Sequence, residues 1–280
     1  MIDIIVTGKD ESLEKTLFSI AIQTIRDQIH VILVSEKKHS FMKEFQKKIK
    51  IEEVLTKEKS IGKKRQVGYE KADGDTILFM NSGDCFYDVF ALHNLNKILL
   101  DNDVVIGGIE NIEKKYSTHY LVGNLYKRKA LKSHRILFRD SDGLDNGFHQ
   151  LFFMSHPKIV YSSDIIYHEN IIYEKDENYY NNIIQDSLFA LQKAKNRSYA
   201  SRDIAKLLYD VILFFAYYFH EGKDTFQEDL FLKFKPLLKE YQYYKKFLVD
   251  EDIQYISDIN LSNRTIDQIY SEELEKKNDM

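Results

Sequence analysis

The chain has 280 residues, 44% of them hydrophobic and 30% charged, enough for one large domain or two modest ones around a sizeable core. This composition excludes an intrinsically disordered chain, and two prolines with eleven glycines exclude collagen-like or linker-like sequence. A net charge of -4 argues against a dominant nucleic-acid-binding role, which needs a strong basic excess.

Residues 2–7 (Ile-Asp-Ile-Ile-Val-Thr) read as a short buried strand, ended by Gly8 and a charged turn. Leu13, Leu17 and Ile20 then follow helical spacing up to Gln23. Residues 30–34 form a second apolar run of strand length, 37–50 a Lys-rich amphipathic stretch that predicts a helix, and 51–55 a third strand. Gly62 opens a helix-like stretch to Ala72, and a Gly74-Asp75 turn leads into a strand over 76–80. A helix over 91–100 and a strand over 103–109 follow. Strands and helices that alternate at this length predict an α/β domain with a largely parallel sheet.

Residues 112–178 mix short apolar runs with loops. From about Asn181 the texture changes. Leu188, Leu191, Ile204, Leu207, Leu208, Ile212 and Phe215 recur at helical intervals and glycine nearly vanishes, so 181–280 reads as a mainly helical second region. Its Tyr and Phe at helical spacing suit acceptor binding, subunit contact, packing or a membrane surface. The longest apolar run, 207–219, is interrupted by Asp210 and falls short of the ~18–20 residues of a membrane span. No transmembrane segment is expected. The lone Cys85 and the absence of a leader sequence point to a reducing cytoplasm.

Ligands of open α/β sheets sit beyond the carboxyl ends of the strands, and Thr7, Glu36 and Asp84 all lie just past such ends. Asp84 beside Asn81 suits a hard divalent cation, or equally a turn or helix cap. Lys63, Lys64 and Arg65 behind Gly62 either neutralise a diphosphate or form a solvated helix face; Arg65 offers a forked set of donors. Asp140, Asp142 and Asp145 are three carboxylates, one of which would serve as a general base; the plain alternative is an acidic surface loop. His168 is a metal or phosphate ligand or a structural histidine.

These pieces carry recognisable motifs. Ile4-Ile5-Val6-Thr7 precedes Leu13, Leu17, Ser19 and Gln23, an L-x-x-x-L-x-S-x-x-x-Q pattern. Val31-Ile32-Leu33-Val34 ends in Ser35-Glu36, and Gly62-Lys63-Lys64-Arg65-Gln66-Val67-Gly68 leads through Ala72 to Gly74-Asp75. Ile77-Leu78-Phe79-Met80-Asn81-Ser82-Gly83-Asp84 stands where a D-x-D motif would, and Asp103-Val104-Val105-Ile106-Gly107 follows. Leu125-Tyr126-Lys127-Arg128, Leu131, Ile136 and Phe138 lead to Leu144-Asp145. In this order, over residues 2–170, the segments resemble the GT-A-fold nucleotide-sugar glycosyltransferases of glycosyltransferase family 2, many of which build bacterial surface glycans. Three positions depart from the pattern: Asn81-Ser82-Gly83 leaves Asp84 as the only acid of the D-x-D segment, Gly8-Lys9 replaces tyrosine-asparagine, and Glu36 replaces aspartate.

The resemblance implies a GT-A (Rossmann-like nucleotide-binding) catalytic domain over 1–180, with a mainly parallel sheet, followed by the helical region 181–280. It implies an inverting transfer from a nucleotide-diphosphate sugar, UDP by family habit, to a hydroxyl on a glycan, teichoic acid or glycoprotein. Asp145 would be the general base. Thr7, Glu36, Arg65, Asn81 and Ser82 would face the nucleotide, and Mg²⁺ or Mn²⁺ would be held by Asp84 with Asn81 and His168. Such an enzyme works in the cytoplasm, with peripheral contact at the inner face of the membrane. The residues leave open two other classes: a non-catalytic partner subunit that keeps the fold, and a nucleotidyltransferase.

Overall fold

The computed structural model of the chain describes residues 1–8, 12–110, 121–141, 145–168, 177–221 and 227–249. Lys9, Asp142 and Leu144, named above, lie outside the described residues. The chain divides into two compact units, 1–174 and 175–280.

The described residues of the first unit contribute eight strands, β1 (Ile2–Thr7), β2 (Ile29–Ser35), β3 (Lys50–Leu55), β4 (Thr76–Asn81), β5 (Cys85–Phe86), β6 (Val104–Ile109), β7 (Leu125–Lys127) and β8 (Ile159–His168). They form one sheet in the order β3-β2-β1-β4-β7-β6-β8-β5. β1, β2 and β4 are near-continuous apolar runs and bury every residue, as strands covered on both faces do. The half from β3 to β4 is parallel, and β6 pairs with β8 in parallel. The pairings β4–β7, β6–β7 and β5–β8 are antiparallel, so the sheet is mixed where the alternation of elements predicts a largely parallel one. The three-residue strand β7 enters the sheet against the direction of both its neighbours, β4 and β6.

Among the described residues, six α-helices accompany the sheet in this unit: α1 (Leu13–Ala21), α2 (Met42–Phe45), α3 (Ile61–Lys71), α4 (Ala91–Leu99), α5 (Arg128–Ser133) and α6 (Asn146–Phe153). The Lys-rich stretch 37–50 keeps only the single turn of α2. The peptide N–H of His39 donates to Glu53 Oε1 on β3 (3.0 Å) and its ring Nδ1 pairs with the same oxygen (2.6 Å), which pins the chain in a loop and leaves little length for a helix. Within the stretch read as short apolar runs and loops, 159–168 form one strand, β8, with register shifts against β6 between Ile106 and Ile109.

The second unit holds α7 (Glu177–Asn196), α8 (Ser201–Glu221) and α9 (Gln227–Tyr244). Leu191, Leu208, Ile212, Phe215, Phe234 and Leu237 are buried, with the Phe215 and Phe234 rings 4.6 Å apart. No helix among the described residues is long and apolar enough to cross a membrane.

Candidate functional site at the carboxyl ends of the strands

The end of β1 meets the end of β4. Thr7 and Asn81 are register partners, so their side chains stand side by side on the sheet. The turn after Asn81 is held from three directions. Ser82 N–H donates to the Thr7 carbonyl (2.7 Å), Gly83 N–H to Thr16 Oγ1 (2.8 Å), and Asn81 N–H to Asp84 Oδ2 (3.2 Å). Tyr167 of β8 donates its hydroxyl to the same Asp84 oxygen at 2.7 Å. Asp84 is fully buried, so its carboxylate closes the turn and fastens it to β8.

Helix α3 brings the cation. Ser60 caps it, its Oγ accepting from Lys63 N–H (3.3 Å) and donating to Asp140 Oδ1 (2.5 Å). Gly62 N–H donates to the Ser141 carbonyl (2.8 Å), and a Cβ at this position would lie 2.0 Å from the Arg139 carbonyl oxygen; only glycine lets the helix come so close. Phe138 N–H donates to Gln66 Oε1 at 3.1 Å. These bonds lace 138–141 to α3, four positions before Asp145 in the sequence.

Arg65 is 2% exposed and reaches both neighbours. Its Nη2 donates to Asn81 Oδ1 (2.6 Å), and its Nη1 is ion-paired with Asp145 Oδ2. Asp145 precedes α6 with φ +57°, in the left-handed region, and makes no side-chain cap to its own helix. An aspartate at such a place ordinarily caps; here the carboxylate is spent on Arg65 instead. Packing holds it there. Phe148 of α6 stacks on Phe138 (4.5 Å) and meets Phe79 of β4 (5.7 Å) and Tyr126 of β7 (5.9 Å) edge-on. Burial in this cluster raises the pKa of the Tyr126 hydroxyl well above its usual value.

Thr7, Arg65, Asn81, Ser82, Asp84 and Asp145 are thus brought to one place, whereas Glu36 and His168 are engaged elsewhere. Glu36 lies exposed past β2, bonded to Lys59 and, at 2.9 Å, to Lys64. These two ammonium groups, Lys59 first, lower its pKa to about 2. His168 Nδ1 pairs with Glu110. Successive strand residues face opposite sides of a sheet, so Tyr167, and not the adjacent His168, is the one that reaches Asp84. Tyr167 is the contributor that motif reading missed, and period-2 alternation in β8 was the signal for it; Lys64, read as neutralising a diphosphate or lying on a solvated face, is buried and paired with Glu36.

Asn81, Asp84 and His168 therefore do not present a shared set of oxygen and nitrogen ligands. Asn81 gives its oxygen to a guanidinium, Asp84 gives an oxygen to two donors, and His168 pairs with Glu110. These residues do not fit a divalent cation, which needs several free oxygens. Among the described residues, one trio of Asp, Glu, His or Cys has ligand atoms within 4.8 Å of one another: Asp3, His30 and Asp73, near the amino ends of β1 and β2. There Asp3 accepts from Gly74 N–H (2.6 Å) and pairs with His30 Nδ1 (3.1 Å), a tie that fastens the start of the sheet.

No protein-family model matches the sequence, and no curated protein matches it. Solved structures do match. Residues 1–349 of Staphylococcus aureus TarS in complex with UDP superpose with a TM-score of 0.67 at 14% identity, covering 85% of this chain and 80% of that one. The same protein with UDP-GlcNAc gives 0.62 at 15% identity over 90% and 82%. A mannosyltransferase from Pyrobaculum calidifontis, PcManGT, with GDP-Man and Mn²⁺, gives 0.53 at 16% identity over 87% and 69%. This chain has the GT-A fold. The chain spans 49% of a longer TarS structure. In this GT-A fold Thr7, Asn81 and Asp145 stand at the carboxyl edge of the sheet, and Arg65 joins the last two.

Proposed function

We propose that this chain transfers a sugar from a nucleoside-diphosphate sugar, with uridine as the first nucleoside to test, to a hydroxyl acceptor on a bacterial glycan, teichoic acid or glycoprotein, inverting the anomeric carbon. The observation that carries the reading is the buried Arg65, joined to Asn81 at the end of β4 and to Asp145 at the start of α6. It sets a fixed positive charge beside a carboxylate at the edge of the sheet where α/β folds take their ligands. Supporting it, proteins of the same fold have structures with UDP, UDP-GlcNAc and GDP-Man.

In this reading the nucleotide lies along the strand ends at Thr7 and Ser82. Glu36, exposed and held by two lysines, exchanges one of them for a ribose or base donor. Arg65 occupies Oδ2 of Asp145, leaving Oδ1 to take the acceptor's proton. The acceptor oxygen attacks the anomeric carbon from the face opposite the diphosphate, the carbon–oxygen bond to the phosphate breaks, and its electron pair leaves with the nucleoside diphosphate. One displacement of this kind inverts the carbon, as in glycosidases where a carboxylate activates the attacking oxygen. Catalysis is assigned to residues 1–180, and acceptor or subunit contacts to 181–280.

Asp145→Asn keeps the shape and removes the base. The expected outcome is a fall in kcat of about 10²–10⁴-fold with nucleotide binding retained. Near-full transfer by this variant would remove Asp145 from the mechanism.

A further inference from the structure

Two buried polar atoms at the strand ends have no partner among the described residues: Thr7 Oγ1 and Asn81 Nδ2. Their residues are register neighbours on β1 and β4, and each is 1% exposed. The orientation of the Asn81 amide follows from chemistry. A guanidinium has donors alone, so the amide turns its oxygen to Arg65 and its NH2 group is left over. A buried donor without an acceptor calls for an explanation. A cation does not supply it, because cation and donor repel; an anionic oxygen does.

The backbone agrees. Gly83 has φ +100°, a conformation that side chains rarely adopt, so the turn has no place for a carboxylate two residues after Asn81. Asp84, the acid that remains, is buried with Oδ2 accepting from Tyr167 and Asn81.

We infer that the site takes the diphosphate of its nucleotide on the chain's own donors, the Arg65 guanidinium, Asn81 Nδ2 and the Thr7 hydroxyl, without a divalent cation bound at residues 81–84. The inference rests on the proposed function and deepens it. When Asp145 takes the acceptor's proton its carboxylate becomes neutral, and the charge of Arg65 is released to the diphosphate oxygen that receives the electron pair of the breaking bond. Proton transfer and leaving-group stabilisation are then coupled through one side chain.

The test is calorimetric titration of the full chain with uridine, guanosine, cytidine, thymidine and adenosine diphosphates, each in excess EDTA and in excess Mn²⁺. One nucleotide is expected to bind with the same dissociation constant in both buffers. Asn81→Ala is expected to weaken that binding about tenfold or more in both, the loss of one hydrogen bond to a charged group; thermal melting confirms that the variant is folded. Binding by the wild type that is lost in EDTA and restored by Mn²⁺ overturns the inference and leaves the proposed function standing, as does a folded Asn81→Ala that binds normally. Binding of no nucleotide in either buffer overturns the proposed function and the inference with it.

Discussion

A guanidinium buried as deeply as Arg65 is stable only with its acceptors in place, so its replacement leaves Asp145 charged and unpaired in the interior. Arg65→Ala is expected to lower stability by about 3–5 kcal/mol, read from urea unfolding, whereas Arg65→Lys should recover part of this. Glu36 offers a different check because it is exposed. Folding depresses its pKa, so the pairs with Lys59 and Lys64 hold above the ordinary value of 4.5 and are lost only as pH falls through about 2. An NMR titration of the Glu36 carboxyl should have its midpoint near there at low salt, and the midpoint should rise in ~1 M salt, where exposed charges are screened within about 3 Å. Arg65, Asn81 and Asp145 were legible in the sequence because each sits in an ordered motif. Their mutual contacts were not, because pairing across 16 and 80 positions depends on where α3 and α6 dock. The likeness of Asn81 and Asp84 to a metal site rests on spacing, which records the presence of oxygen atoms and not which donors already hold them.

The placement of Asp145 belongs to the element that carries it. α6 has eight residues, too few to hold a position by itself, and it is fixed by the rings of Phe148 and Phe152 against Phe79, Tyr126 and Phe138. Phe148→Ala should cost about 3–5 kcal/mol of stability, measured by thermal unfolding. In the folded fraction it should also lower kcat more than it weakens nucleotide binding, because Asp145, the proposed base, moves while the strand ends stay. A binding loss as large as the kcat loss would show that α6 does not position the base separately. Strands were the best-read elements: β1, β2 and β4 are mostly apolar and buried along their whole length, and the sequence boundaries fall within a residue of the observed ones. The helix expected over 37–50 shrank to four residues because amphipathic spacing cannot register the tie from His39 to Glu53.

At the scale of the molecule, an α/β unit and a helical unit follow from two textures of sequence, glycine-bearing alternation before about residue 180 and helical periodicity after it. The mixed sheet was not legible, since β7 is only three residues long and short strands carry no directional signal. Likeness to solved structures over 85–90% of the chain at 14–16% identity transmits the fold and leaves chemistry to be measured. The most direct measurement is NMR of the full chain incubated with UDP-, GDP-, CDP- and dTDP-sugars, first alone and then with candidate hydroxyl acceptors. The expected result is slow release of nucleoside diphosphate from one donor, faster release with an acceptor, and a product whose anomeric configuration is opposite to that of the donor. No release from any donor, or a product that retains the donor's configuration, would contradict an inverting nucleotide-sugar transferase with Asp145 as its base.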